Sequence, residues 1–345
     1  MKRLFITGGT GFFGKSLLDY RRHHPAFAAE YELTILSREP ERFAAEWPAL
    51  AGQPGVGFVK GDVRDLVERS STIFAHGGET TRSSTIFAHV GETTRSSTIF
   101  AHGGETGRYD AILHFATPAV TTLSDEEMTS IIIDGTRAVI DFAKANGIKK
   151  VLFASSGAVY GRQFAPVDEE APCAPTTAYG KGKLDAEQML IDSGLDVKIA
   201  RCFAFTGQYL NRDIHYAIGN FLRDALAGGD LVVNGDGTPL RSYLYADDLV
   251  EWLFAILECG VSGRAYNVGS PEAISIAALA AKVKAVLNTP GQVDIRGVPG
   301  EGPAPVYVPI VDRIRRELGV KVSISIDQAI ALSVGHSPTV FTEVS

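Results

Sequence analysis

From the N-terminus to Arg201, short apolar runs alternate with longer amphipathic stretches. The runs are Arg3–Thr7, Leu33–Ser37, Gly57–Lys60, Ala111–Phe115, Val151–Ala154 and Val197–Arg201, each of a length that suits a strand buried on both faces. Between them Phe12–His24, Met128–Asn146 and Thr177–Ser193 carry apolar residues at helical spacing. Such alternation predicts βαβ units, hence an α/β fold with a doubly wound parallel sheet and helices on both faces. After Arg201 the rhythm loosens and glycine and proline become more frequent. Helical stretches remain at His215–Gly228, Asp247–Leu257, Ser275–Leu287 and Asp312–Leu318.

One segment breaks the rhythm. Arg69–Thr81, Arg82–Thr94 and Arg95–Gly107 are three copies of a 13-residue unit that differ only at Val90 and Gly107. Structural repeats commonly run about 20–50 residues and drift at surface positions. Near-identity at every position reads instead as a duplicated surface loop between two strands. The recurrence of His76, His89 and His102 has the look of a ligand cluster. A loop is the simpler reading, because closure entropy grows only with the logarithm of length. No metal site is expected.

Composition narrows the class. Of 345 residues 45% are apolar and 21% charged, ordinary values for a chain with a full core. Lys and Arg number 33 against 40 Asp and Glu, a net charge of −7, so no basic excess points to nucleic acid. No apolar run approaches the ~20 residues that span a bilayer, and no membrane partner is expected. Cys173, Cys202 and Cys259 fall in no disulfide or metal spacing. The apolar start of the chain meets Gly8 too soon for a signal-peptide core, so the expected compartment is the cytoplasm.

Thr7-Gly8-Gly9-Thr10-Gly11-Phe12-Phe13-Gly14 follows the first run and opens the first helical stretch. It satisfies G-x-G-x-x-G at Gly9, Gly11 and Gly14, and G-x-x-G-x-x-G at Gly8, Gly11 and Gly14. Bare glycine backbone lets a pyrophosphate approach, and the helix N-terminus offers it unpaired N–H groups and a positive dipole end. Between a strand and a helix, this pattern marks a dinucleotide site built on Gly8, Gly11, Phe12, Phe13 and Gly14. An acid at the end of the second strand would accept from the ribose of NAD, whereas a basic group there would meet the 2′-phosphate of NADP. The strand ends Ser37-Arg38-Glu39. Ser37 and Arg38 favour NADP slightly over NAD; the alternative leaves Arg38 in solvent and gives the ribose to Glu39. Asp62 and Val63, after the third strand, are placed to meet the adenine. The expected architecture is a Rossmann-type doubly wound domain over residues 1–200, with the insertion at 69–107. A smaller C-terminal substrate-binding lobe would cover 201–345, from which 242–268 returns to the first domain.

Val151–Ala154 runs into Ser155-Ser156-Gly157-Ala158-Val159-Tyr160-Gly161, and Tyr179-Gly180-Lys181-Gly182-Lys183 opens the next helix. Tyr179 and Lys183, four apart, share one helix face. A phenol, with a pKa near ~10, is a poor base at neutral pH. A nearby ammonium favours the phenolate, and a serine hydroxyl at the strand end would hold a substrate oxygen beside it.

Together with Ile112–Thr117 and the stretch Gly235–Tyr245, these motifs resemble the extended short-chain dehydrogenase/reductases, in the nucleotide-sugar epimerase/dehydratase family. The resemblance covers nearly all of the chain except the repeat. It implies Ser156 as the catalytic serine, Tyr179 as the acid/base and Lys183 as a ligand of the nicotinamide ribose. It further implies that Phe115, Ala116, Thr117, Ser155, Cys202 and Phe203 line the cofactor. Ala204, Asn220 and Arg241 would face the substrate beside Ser156 and Tyr179, with Arg241 clamping a diphosphate. The implied activity moves hydride between NADP or NAD and a ring carbon, C4, of a nucleotide-linked hexose, as an epimerase or a 4-ketoreductase. A non-catalytic dinucleotide sensor is the alternative outside enzymes.

Departures from the family pattern narrow the reaction. The 4,6-dehydratases carry an Asp-Glu pair directly after the catalytic residue, and a decarboxylase would carry a glutamate at the second of these positions. Gly157 and Ala158 offer neither acid nor base, which disfavours elimination. Ala204 stands where the family has an Asn, and Val298 where it has a late arginine, with Glu301 near the usual acid. Phosphate contacts are therefore expected to be fewer or rearranged. The resemblance also implies a homodimer through Met128–Asn146 and Thr177–Ser193. Ile131, Ile132, Val139, Ile140 and Phe142 suit packing against either the sheet or that partner.

Overall fold

The apolar runs become the strands of one sheet, since chain buried on both faces can satisfy its backbone only through neighbouring strands. The computed structural model describes residues 1–66, 99–100, 109–117, 123–214, 216–298 and 300–335. The strands are β1 (Lys2–Thr7), β2 (Tyr31–Ser37), β3 (Val56–Lys60), β4 (Ile99–Phe100), β5 (Ala111–His114), β6 (Lys150–Ser156), β7 (Asp196–Cys202) and a late strand, Ala265–Val268. Their order is late strand–β7–β6–β5–β1–β2–β3–β4. Every pairing is parallel except that of β4, which runs antiparallel to β3 at the edge. The chain leaves β1 for β2 and β3, then crosses to the other side at β5. The carboxyl ends of β1 and β5 therefore flank the switch point where open α/β sheets take their ligands.

Helices cover both faces. Helix α1 (Phe12–His23) and the helix Ala246–Cys259 bury Leu17, Leu249, Trp252 and Leu253 with Leu4 and Ile6 on one side. On the other, the helices Asp125–Ala145 and Ala178–Asp192 bury Ile132, Val139, Phe142, Ala186 and Leu190 with Phe5, Ile112 and Val151. Ile132, Val139, Ile140 and Phe142 are thus spent on the sheet, while Ile131 is half-buried. A third core joins Phe221 and Leu222 of the helix Ala217–Leu226 to Leu231, Leu279, Val283 and Ile330.

Boundaries move where polar side chains do backbone work. The helix expected from Met128 starts at Asp125, because Ser124 and Glu127 form a capping box: Glu127 N donates to Ser124 Oγ at 3.2 Å and Ser124 N to Glu127 Oε2 at 3.1 Å. Strand β6 runs on through Ser155 and Ser156, both buried. The strand Ala265–Val268 and the helices Pro25–Glu30, Pro40–Glu46 and Ile326–Ser333 lie outside the sequence expectation. Of the repeat, Ile99–Phe100 is described, paired with Val59 and Phe58; His76, His89 and His102 lie outside the described residues. Among the described residues no helix is long and apolar enough to cross a membrane, and no three His, Cys, Asp or Glu side chains gather as a metal site.

The turn between β1 and α1 tolerates nothing larger than glycine at two positions. Gly8 has φ +74°, and a Cβ there would stand 2.5 Å from Ala116 N; a Cβ on Gly14 would stand 2.0 Å from Gly9 O. We expect Gly8→Ala and Gly14→Ala each to lose roughly 1–3 kcal/mol or more in denaturant unfolding. Gly235→Ala, with open space around it, should stay near wild type. Equal loss at all three positions would contradict the close approach.

Candidate active site

Gly11 precedes α1 in extended conformation and has no side chain to cap it, so the first N–H groups of the helix face the switch point without a side-chain acceptor. The Phe13 ring packs edge-on against Phe115 at 5.7 Å and Phe205 at 5.3 Å, and Phe12 lies 6.0 Å from Phe13. Bare backbone over an aromatic floor, with a free helix end, fits the pyrophosphate of a dinucleotide.

At the adenosine end, Ser37 is buried and its Oγ accepts from Glu39 N at 3.2 Å. Arg38 and Glu39 are exposed, and Glu39 pairs with Arg42 at 3.5 Å. Asp62 accepts from Arg64 N at 3.0 Å and Arg64 Nε at 2.9 Å. The Arg64 hydrogen bond holds the Asp62 carboxyl below the usual range, and Arg38 adds to that pull. Val63 turns its side chain into the core beneath Gly135.

The residues expected to react do converge. Thr177 Oγ1 accepts from Gly180 N at 3.1 Å and starts the helix Ala178–Asp192, which sets Tyr179 and Lys183 one turn apart. Lys183 is 2% exposed. Its Nζ donates to Thr117 Oγ1 and to Ala154 O, both at 2.6 Å, and stands 4.6 Å from the centre of the Phe153 ring. Burial pulls its pKa down to about 7, against smaller upward pulls from Cys202 and Glu187. Tyr179 is half-buried; burial pushes its phenol up, and the nearby Ser156 hydroxyl works the other way. Ser156 Oγ also accepts from Ala158 N at 3.1 Å and lies 3.5 Å from the Tyr307 hydroxyl. Behind them His114, at the end of β5, bonds to Thr7 at 2.7 Å and Thr136 at 3.2 Å, and burial then Lys183 bring it down to about 3.

Tyr307 was not flagged by the sequence. It comes from the strand Val306–Tyr307, which pairs with Leu240–Arg241 through a connection that no local motif announces. Its ring lies 4.9 Å from Phe203, and the Arg241 guanidinium stands 5.8 Å from it. Ser156, Tyr307 and Arg241 thus form a row leading out of the site. Cys202 is buried at the end of β7, its thiol pushed up to about 12 by burial. Ala204 offers a methyl group, and its carbonyl accepts from Leu244 N at 3.1 Å. Asn220, with its amide nitrogen turned inward, donates to Arg212 O and Ile214 O at 2.9 Å and so holds the preceding loop. Val298 and Glu301 are exposed. A Cβ on Gly157 would stand 2.8 Å from the Phe203 ring, so that ring fills the space an acid would need.

A doubly wound parallel sheet with a glycine turn at its switch point places the protein among the Rossmann-type α/β proteins. The family model for the NAD dependent epimerase/dehydratase family matches residues 4–269, and the chain belongs to that family. UDP-glucuronic acid decarboxylase 3 of Arabidopsis thaliana is 30% identical over 192 residues, covering 52% of this chain and 56% of that protein, so the chain spans little more than half the length of this relative. A UDP-N-acetyl-alpha-D-glucosaminuronate decarboxylase of Bacillus cytotoxicus is 28% identical over 305 residues, 85% of this chain and 82% of that one. The fold is shared with the UDP-glucuronic acid 4-epimerase of Bacillus cereus, solved with UDP-glucuronic acid and NAD, at a TM-score of 0.74 and 18% identity over 96% of this chain and 98% of that chain. The family description and the NAD held by this neighbour lend no support to a preference for NADP.

The buried lysine makes stability depend on pH. Unfolded, Lys183 keeps the ordinary value of 10.5; folded, it titrates at about 7. Between those values the unfolded chain binds more protons, so through this group stability is lowest below the folded value and rises with pH across the window. Denaturant melts of Lys183→Met over a pH series should show that rise flattened and higher stability at mildly acid pH. An unchanged slope would show that the ammonium is not desolvated.

Proposed function

We propose that the protein is an NAD-dependent enzyme that oxidises C4 of a UDP-linked sugar and reduces it again, releasing the C4 epimer. The observation that supports this reading best is the Ser156 hydroxyl, 3.5 Å from the Tyr307 phenol and acting on Tyr179, which stands one helical turn from the buried Lys183. Gly8, Gly11, Phe12, Phe13 and Gly14 would hold the pyrophosphate; Phe115, Ala116, Thr117, Ser155, Cys202 and Lys183 would line the nicotinamide half. When bound, NAD supplies the acceptor and donor of hydride. Tyr179 takes the proton of the C4 hydroxyl and later returns it, while Ser156 holds the oxygen. Burial opposes the phenolate, so a charge must favour it, and Lys183 supplies that charge from a fixed position. Arg241, beyond Tyr307, would clamp the diphosphate.

Gly157 and Ala158 place no carboxylate after Ser156, and the Phe203 ring closes the first position. That speaks against 4,6-elimination. A second reading, oxidation at C4 followed by loss of carbon dioxide, is favoured by the names of the relatives. A C4-oxidised uronate is a β-keto acid, so the same oxidation would activate it, although Ala158 stands where a decarboxylase would carry a glutamate.

The test begins by denaturing the purified protein and identifying the released dinucleotide, expected to be NAD; an empty site that prefers NADPH would favour a ketoreductase acting through Arg38. The native protein is then given UDP-glucose and UDP-glucuronate and the products are read by NMR. C4 epimers are expected, a UDP-pentose would establish the second reading, and no product from either would overturn both. Tyr179→Phe should lower turnover by roughly 10²–10⁴-fold.

A further inference from the structure

Tyr179, Lys183 and Glu187 recur at one-turn intervals on one face of the helix Ala178–Asp192. Each engages the end of β6. Tyr179 faces Ser156, whose hydroxyl draws its phenol down, Lys183 donates to Ala154 O at 2.6 Å, and Glu187 accepts from Ser155 Oγ. Arg201, near the end of β7, grips the same carboxylate, with Nη2 to Oε2 at 2.8 Å and Nε to Oε1 at 3.1 Å. Its Nη1 donates to the Tyr160 hydroxyl at 3.0 Å, which in turn donates to Asn267 Oδ1 at 2.8 Å on the late strand. Glu187 is 3% and Arg201 8% exposed. A pair so thoroughly desolvated gives little stability over apolar residues of the same volume, so stability alone does not account for it.

We propose that Glu187 is a positioning residue of the active site: with Arg201 as counter-ion it locks the end of β6 to the catalytic helix, setting Ser156 against Tyr179 and balancing the charge beside Lys183. This rests on the reading of Ser156, Tyr179 and Lys183 as the reacting groups. The titratable groups that face Lys183 from other strands are His114 on β5 and Cys202 on β7. Burial keeps both neutral, at about 3 and about 12. Facing the ion pair, Tyr160 and Cys173 are likewise pushed up by burial, Tyr160 to about 12. Tyr179, on the same helix, is neutral until it reacts. Among these groups Glu187 is the one carboxylate near Lys183, its upward pull on the ammonium adding to that of Cys202, and Arg201 behind it is the one other cation.

The test is an NMR pH titration of the holoenzyme carrying ε-carbon-labelled lysine, with the Lys183 resonance assigned by its loss in Lys183→Met. Glu187→Gln leaves the Arg201 charge uncompensated and should lower the proton affinity of Lys183 by roughly tenfold or more. Arg201→Gln should raise it by a similar factor, and the double variant should return it close to wild type. Ser155→Ala, which keeps both charges, should leave the titration in place and lower kcat by roughly tenfold with little change in KM, as expected of lost alignment. Midpoints that stay fixed, or move the same way in both single variants, would overturn the proposal. If the single variants do not fold, a wild-type titration in the charge-free double variant with kcat preserved would also overturn it, and kcat lost there as in Ser155→Ala would support the positioning role. Opposite shifts in a protein that turns over no UDP-sugar would uphold the coupling and overturn the reaction.

Discussion

A lysine ammonium taken out of water must find acceptors, and Lys183 finds Thr117 Oγ1 and Ala154 O, each at 2.6 Å. The first follows β5 and the second lies near the end of β6, so one side chain ties together the chain at two neighbouring strands at the mouth of the sheet. The rest of the site depends on this link. It fixes where the helix Ala178–Asp192 sits along β6, and thereby which residue of β6 meets Tyr179. The Lys183 ammonium stands one helical turn along from Tyr179, a phenol made less acidic by burial. Desolvation keeps that charge poised, at about 7, between holding and losing its proton.

The sheet supplies the rest of the geometry. Reversal of strand order at β1 and β5 leaves a crevice that no strand crosses, and the glycine turn brings backbone, rather than side chain, to its wall. On one side of the crevice lies a helix end without a side-chain cap among the described residues; on the other stand Ser156, Tyr179 and Tyr307. The Phe203 ring occupies the room beside Gly157 and packs on Tyr307, so the aromatic wall that closes the site to an added acid also orients a second phenol toward Ser156.

Much of this was legible in the residues because it is local. The turn follows from glycine spacing after a strand, and the Tyr179–Lys183 pair from a four-residue interval. What sequence patterns missed is carried by long-range contacts. The strand Ala265–Val268 is four residues long with Asn267 in its middle, too short and too polar to read as core. Only in the fold does Asn267 gain Tyr160, Val167 O and Ile310 O as partners. Tyr307 reaches Ser156 across 151 residues of chain. Glu187 lies on the face already marked by Tyr179 and Lys183, yet an acid on a helix usually reads as solvated, and its partners Ser155 and Arg201 come from two strands. The side chain of Val63, a residue expected near the adenine, packs in the core.

The central claim is that Tyr179, charged through Lys183, starts an oxidation at a sugar carbon. Its most direct test mixes the purified protein, with no cofactor added, with UDP-glucuronate and follows the near-ultraviolet absorbance of reduced nicotinamide in rapid mixing. A transient rise in the wild type that is absent from Tyr179→Phe is the predicted result. Reduction that proceeds equally in the Tyr179→Phe variant, or that never occurs with any UDP-sugar although NAD is bound, would contradict the claim.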